Sequence, residues 1–124
     1  MWRSLWPGIV ALGLTGMVGP VQAQGFLSCV DHLPLAPGLV EVEDGCLNFD
    51  TAAGRVAQAE ARGTVPVAAV RRFYRSALPA FGWNLLDAEA LDATRSGERL
   101  KILVEVTEGN EVRVHYALAP SPGT

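Results

Sequence analysis

Leu100-Lys101-Ile102-Leu103-Val104-Glu105-Val106-Thr107, the turn Glu108-Gly109-Asn110, and Glu111-Val112-Arg113-Val114-His115-Tyr116-Ala117-Leu118 set the architecture of this chain. Leu100, Ile102, Val104 and Val106 face one way; Lys101, Glu105 and Thr107 face the other. Val112, Val114, Tyr116 and Leu118 repeat the pattern against Glu111, Arg113 and His115. Period-two alternation with a single apolar side is the mark of a half-buried antiparallel strand. Two such strands joined by a short turn make part of a sheet, with one face that another element must cover.

The cover lies upstream. Val67, Val70, Phe73, Tyr74, Ala77, Leu78 and Phe81 recur at helical spacing, with Arg71, Arg72, Arg75 and Ser76 on the opposite side, which predicts an amphipathic helix over 66–81. Pro66 suits the first turn, where a missing N–H costs nothing. Pro79 predicts that regular helix ends near Leu78, with Gly82 completing the turn. Tyr74 and Trp83 are assigned to the core by the same periodicity. Strands are predicted at Trp83–Leu86 and, more weakly, Leu91–Arg95, before the turn Ser96-Gly97.

On the other side of the helix, Leu39–Val42 reads as a strand, Asp44-Gly45 as a two-residue hairpin turn, and Cys46–Thr51 as the return strand. Gly54 turns the chain again. Arg55–Arg62 carries two signals: alternation of Ala57, Ala59 and Ala61 with Gln58 and Glu60 suits a strand, while alanine, glutamine and glutamate favour helix. The alternation is taken as the guide. Residues 38–119 are thus expected to form an α+β domain of two layers, one helix laid across an antiparallel sheet. Residues 24–37, with Pro34 and Pro37, read as an extended arm. Residues 120–124 read as a flexible tail.

The 124-residue chain is long enough for one domain. It begins like a targeting segment: Arg3, then an uncharged and mostly apolar run from Leu5 to Val21, then Val21-Gln22-Ala23 with small residues at the two positions a signal peptidase reads. The expectation is a signal peptide over 1–23. Pro7, Pro20 and several glycines interrupt the run, which is shorter than the roughly 20 apolar residues of a membrane span, so no span is expected after cleavage. Of 10 basic and 13 acidic side chains, only Arg3 lies in the leader. The acidic surplus that remains argues against a nucleic-acid partner.

Cys29 and Cys46, the two cysteines of the chain, read first as a disulfide of an oxidising compartment, the periplasm. A second reading takes Phe26-Leu27-Ser28-Cys29 as a loose lipobox, with Cys29 carrying a lipid anchor.

Leu33-Pro34-Leu35-Ala36-Pro37-Gly38, Val70-Arg71-Arg72-Phe73-Tyr74, Leu78-Pro79 and Gly82-Trp83, followed by a charged hairpin, resemble the layout of a family of small exported bacterial proteins and lipoproteins of unknown function. The resemblance spans roughly residues 33–118 and implies a proline-glycine arm, a helix ending in this Phe-Tyr, Leu-Pro, Gly-Trp series, and a C-terminal antiparallel sheet. It transfers no catalytic residue.

Candidate chemistry is sparse. Cys29, Cys46, His32 and His115 are possible zinc ligands by type, but no compact spacing gathers them, so neither a metal nor another cofactor is expected. Ser28, Ser76 and Ser96 sit in no nucleophile elbow, and the neighbours Asp31-His32 do not make a dyad. Arg71, Arg72 and Arg75 fall within one helical turn without an acidic partner three or four residues away. Such a cluster suits a phosphate, a carboxylate or an acidic partner; the plainer reading is a solvated helix face. The expected function is a non-enzymatic periplasmic module that binds an envelope protein or an anionic envelope ligand through Arg71, Arg72 and Arg75. The alternatives are a small enzyme or enzyme accessory with a site scattered in sequence, and a protein anchored through Cys29.

Overall fold

A computed structural model describes residues 25–121; the leader expected at 1–23 and the last three residues lie outside it. Strand β1 is Val40–Glu41, β2 Leu47–Thr51 and β3 Gly54–Gly63; helix α1 is Val67–Ala80; β4 is Asn84–Asp87, β5 Asp92–Arg95, β6 Glu98–Val106 and β7 Val112–Pro120. The strands form one antiparallel sheet in the order β1-β3-β7-β6-β5-β4, with β2 also paired to β3. The fold is α+β, one helix packed on a seven-stranded sheet.

The alternating runs lie where expected. In β6–β7 the register sets Leu100 opposite Leu118, Ile102 opposite Tyr116 and Val104 opposite Val114, and all six are buried. Residues 55–62 are strand: Ala57, Ala59 and Ala61 are buried on the same face, paired with Leu118, Tyr116 and Val114. Local helix propensity is worth tenths of a kcal/mol per residue. It yields here to a strand paired on both sides.

Around residues 40–51 the structure corrects the sequence reading. β1 and β2 do not pair with each other. Both lie on the same edge of β3, β1 opposite Arg62 and Ala61, β2 opposite Gln58 through Gly54. Asp44 and Gly45 belong to one 3-10 turn, Glu43–Gly45, that interrupts a single edge strand. The hairpin turn instead falls at Ala52-Ala53, between Thr51 and Gly54. A two-residue hairpin at Asp44-Gly45 would require positive φ, and neither residue adopts it. Gly45 is needed for proximity: a Cβ there would come within 2.9 Å of Glu60 Cβ.

The segment expected as an extended arm is folded into the core. Phe26 bridges to Pro34, Leu27 N–H donates to the Leu33 carbonyl at 3.0 Å and Leu35 N–H to that of Gly25 at 2.8 Å. Leu27, Cys29, Val30, Leu33 and Ala36 are buried beside the helix. The two prolines rule out a central strand but not a compact turn. His32 (φ 60°) reverses the chain, and the Cys29–Cys46 disulfide, with Cα atoms 5.7 Å apart, fastens the segment to the edge strand. At the other end, β7 continues through Ala119 and Pro120, opposite Arg99 and Glu98, and Ser121 N–H donates to Gly97.

Helix α1 runs two residues beyond the expected stop, with Pro79 inside its last turn. Trp83 N–H reaches back to the Leu78 carbonyl at 2.9 Å and Gly82 N–H to that of Pro79 at 3.1 Å, a Schellman closure with Gly82 in the left-handed region. Proline so near the end removes one hydrogen bond from a turn that these bonds hold shut. Trp83 is buried under the Arg95 guanidinium, 4.1 Å from the ring centroid.

One hydroxyl joins sheet, helix and N-terminal segment. Tyr74 Oη on α1 donates to the Pro34 carbonyl at 2.8 Å, accepts from Ala36 N–H at 3.2 Å, and lies 2.7 Å from Tyr116 Oη on β7. A phenol has one proton to give. With the Tyr74 proton on Pro34, Tyr116 is the donor in the pair.

Gly63 marks another close approach, because a methyl there would overlap the Gly38 carbonyl oxygen. Gly63→Ala is expected to destabilise the domain by about 2 kcal/mol, read as a lower urea midpoint at unchanged m-value.

Candidate functional site

The three arginines of α1 separate in the fold. Arg71 is half-buried, and its Nη1 donates to the Glu89 carbonyl at 3.1 Å. It thereby closes the loop between β4 and β5, whose Asp87 carboxylate also accepts from Glu89 and Ala90 N–H. That loop ends at Leu91, buried with φ 53°, a strained conformation for a bulky residue. Arg71 therefore has structural work. Arg75 is half-buried, and Arg72 is exposed. Among the described residues Arg72 and Arg75 form no ion pair.

Arg72 stands on the rim of a groove of about 380 Å³ between the first turns of α1 and the Ala36-Pro37 turn. Val65, Ala69, Val70 and Phe73 supply apolar lining, and Ser76 stands one helical turn beyond Arg72. Across the Val65-Pro66 ridge lies a second hollow of about 360 Å³, bounded by Val67, Val106, Val112 and Asn110. The groove exists because the N-terminal segment folds against the helix, so its far wall could not be read from helical periodicity. Phe73, placed on the apolar helical face by spacing, is only partly buried and lines this groove.

The ionisable groups with displaced pKa values lie outside both hollows. Burial pushes Tyr74 up to about 12, against the opposing effect of its bonds from Tyr116 and Ala36. Burial also raises Tyr116, and Tyr74 beside it adds to the effect. Both phenols are sealed in the core and stay protonated at neutral pH, out of reach of a substrate. On the outer face of the sheet, the Arg99 guanidinium holds the Asp92 carboxyl below its ordinary value through a hydrogen bond at 2.7 Å.

The remaining candidates are dispersed. Ser28 N–H and Oγ donate to Glu41, Ser96 is a turn residue with φ 47°, and Asp31 lies 3.6 Å from Arg55. His115 Nε2 is 3.1 Å from a Glu105 oxygen on the outer face, remote in the sheet from the segment that carries His32. Among the described residues no group of three or more His, Cys, Asp or Glu side chains is placed to hold a metal ion, and no helix is long and apolar enough to cross a membrane. In comparisons with known proteins, no family model, no curated sequence and no solved structure matched the chain.

Proposed function

We propose that this is a periplasmic, non-enzymatic binding module whose ligand site is the groove beside Arg72. Its ligand is an envelope protein segment or envelope amphiphile that joins an apolar body to one anionic group. The observation that carries this reading is the union of an apolar floor with an exposed arginine that has no acidic partner among the described residues. An apolar body would remove Val65, Ala69 and Phe73 from water, and Arg72 would take a carboxylate or phosphate by paired N–H donors. Placement of the displaced pKa values away from both hollows favours a binder over an enzyme. Engagement of Cys29 with Cys46 supports a disulfide-bearing exported protein over the lipid-anchored alternative. Kinship with the small exported bacterial proteins that the chain resembles belongs to the same proposal.

The test is photo-crosslinking in intact cells with a probe at Ser76, which leaves Arg72 in place, and a control probe at Glu108. A discrete adduct from position 76 alone, lost on Arg72→Glu, is the expected result, and its mass identifies the partner. If position 76 gives no adduct in cells where the protein is exported and folded, or an adduct indifferent to Arg72→Glu, the groove is not the site.

A further inference from the structure

The two edges of the sheet are treated differently. At one, β4 is short and its pairing to β5 is broken by a register shift between Leu85 and Asp87, a device that discourages strand addition. At the other, β2 is regular: five residues in unbroken register with β3, every one exposed. It has no bulge, proline or lysine. Cross-strand partners share a face, so Leu47 and Phe49, opposite Gln58 and Val56, lie on the outer face of the sheet, away from the helix. They are 55% and 53% exposed, an unusual pair of side chains to leave at an open edge.

We propose that β2 is a self-pairing edge, through which two copies of this chain join antiparallel across Phe49 into one continuous sheet. The strand reads Leu47-Asn48-Phe49-Asp50-Thr51. Turned about a two-fold axis at Phe49, it sets Phe49 against Phe49, Leu47 against Thr51, and Asn48 against Asp50. The single charge of the strand meets an amide donor instead of its own copy, twice over, and the axis carries an aromatic cross-strand pair. A self-complementary patch of this kind is what a two-fold interface requires. Its length is bounded on one side by the turn at Ala52-Ala53 and on the other by Cys46, held in the disulfide. The apolar outer-face side chains Leu47, Phe49 and Val56 then continue from one copy into the next. This inference is independent of the groove reading. β2 pairs with residues 54–58, whereas both hollows open beyond the other end of β3, at Thr64 and Val65.

Sedimentation equilibrium of the purified protein tests it, with Phe49→Lys as the variant and Leu103→Lys as a control at another exposed outer-face position. The expected result is a monomer–dimer equilibrium whose dissociation constant rises by about tenfold or more in Phe49→Lys and is unchanged in Leu103→Lys. In parallel, the β2 amides that point away from β3 gain hydrogen-exchange protection as concentration rises. A monomer at all loading concentrations overturns the proposal. So does a dimer indifferent to Phe49→Lys, one weakened equally by Leu103→Lys, or one that leaves β2 amides unprotected.

Discussion

Tyr74→Phe is expected to destabilise the domain by about 4 kcal/mol, and Tyr116→Phe by about 1 kcal/mol. The two residues touch, have the same chemistry and are equally buried, so the asymmetry comes from the number of partners each hydroxyl serves. Tyr74 Oη serves three partners: the Pro34 carbonyl, Ala36 N–H and the Tyr116 hydroxyl. Its loss strands three buried polar groups, two in the N-terminal segment and one on β7, at about 1–3 kcal/mol each before relaxation. Tyr116 Oη has one partner among the described residues, and its loss leaves Tyr74 still bonded to the N-terminal segment. Urea unfolding monitored by Trp83 fluorescence measures both, and the double variant should cost less than the sum because the sites share a bond. Equal losses for the two single variants would show that the Tyr74 hydroxyl does not hold the N-terminal segment through Pro34 and Ala36.

The same pair sets an alkaline limit. Tyr74 and Tyr116 are the 2 tyrosines of the chain, so tyrosinate absorbance reports on them alone. In the unfolded chain a phenol ionises near pH 10; in the fold burial raises both, Tyr74 to about 12. Above pH 10 the unfolded state sheds protons that the folded state keeps. The stability contributed by neutral phenols is complete below pH 10 and is lost as the pH climbs toward 12. Tyrosinate absorbance is expected to appear together with loss of tertiary structure. Ionisation near pH 10 with the fold intact would show that the pair is open to solvent.

Removal of the disulfide, as Cys29→Ala with Cys46→Ala, is expected to lower stability by about 3 kcal/mol, the chain-entropy value for a loop of this size. The bond spans a sequence separation of 17. For a small domain that is a large part of a total of about 5–15 kcal/mol, and the melting temperature should fall by roughly 15 °C. Alanine suits the test because Cys29 is buried, where a serine hydroxyl would add a cost of its own. The damage should be local first. Leu27 and Leu35, whose N–H groups close the N-terminal segment, should lose hydrogen-exchange protection ahead of β6 and β7. Uniform loss of protection would mean that the segment and the sheet open as one unit.

Groove and edge were legible to different degrees. Arg72 could be found from its place in a basic stripe, but not distinguished from Arg71, because their difference lies in the Glu89 carbonyl, 18 residues away. The apolar floor was hidden for the opposite reason: Val70 and Phe73 obey the helical period whether they meet a sheet or a groove. The edge was misread at Asp44-Gly45, where a dipeptide favoured in hairpins serves a backbone that passes close to Glu60.

By itself the sequence determined which face of each element is apolar. It therefore determined the helix, the alternating strands and the two-layer class, because amphipathic period is a local property set by neighbouring residues. It offered Cys29 and Cys46 as a disulfide beside a lipid-anchor reading of Cys29, and the structure joins the two cysteines. Tertiary structure alone decided that β1 and β2 share one edge of β3, that the N-terminal segment closes the core, and that a single buried hydroxyl ties three parts of the chain together. The last of these depends on contacts between residues 38 to 42 positions apart. No local pattern encodes them, because each side chain is compatible with many partners until the chain has collapsed around it.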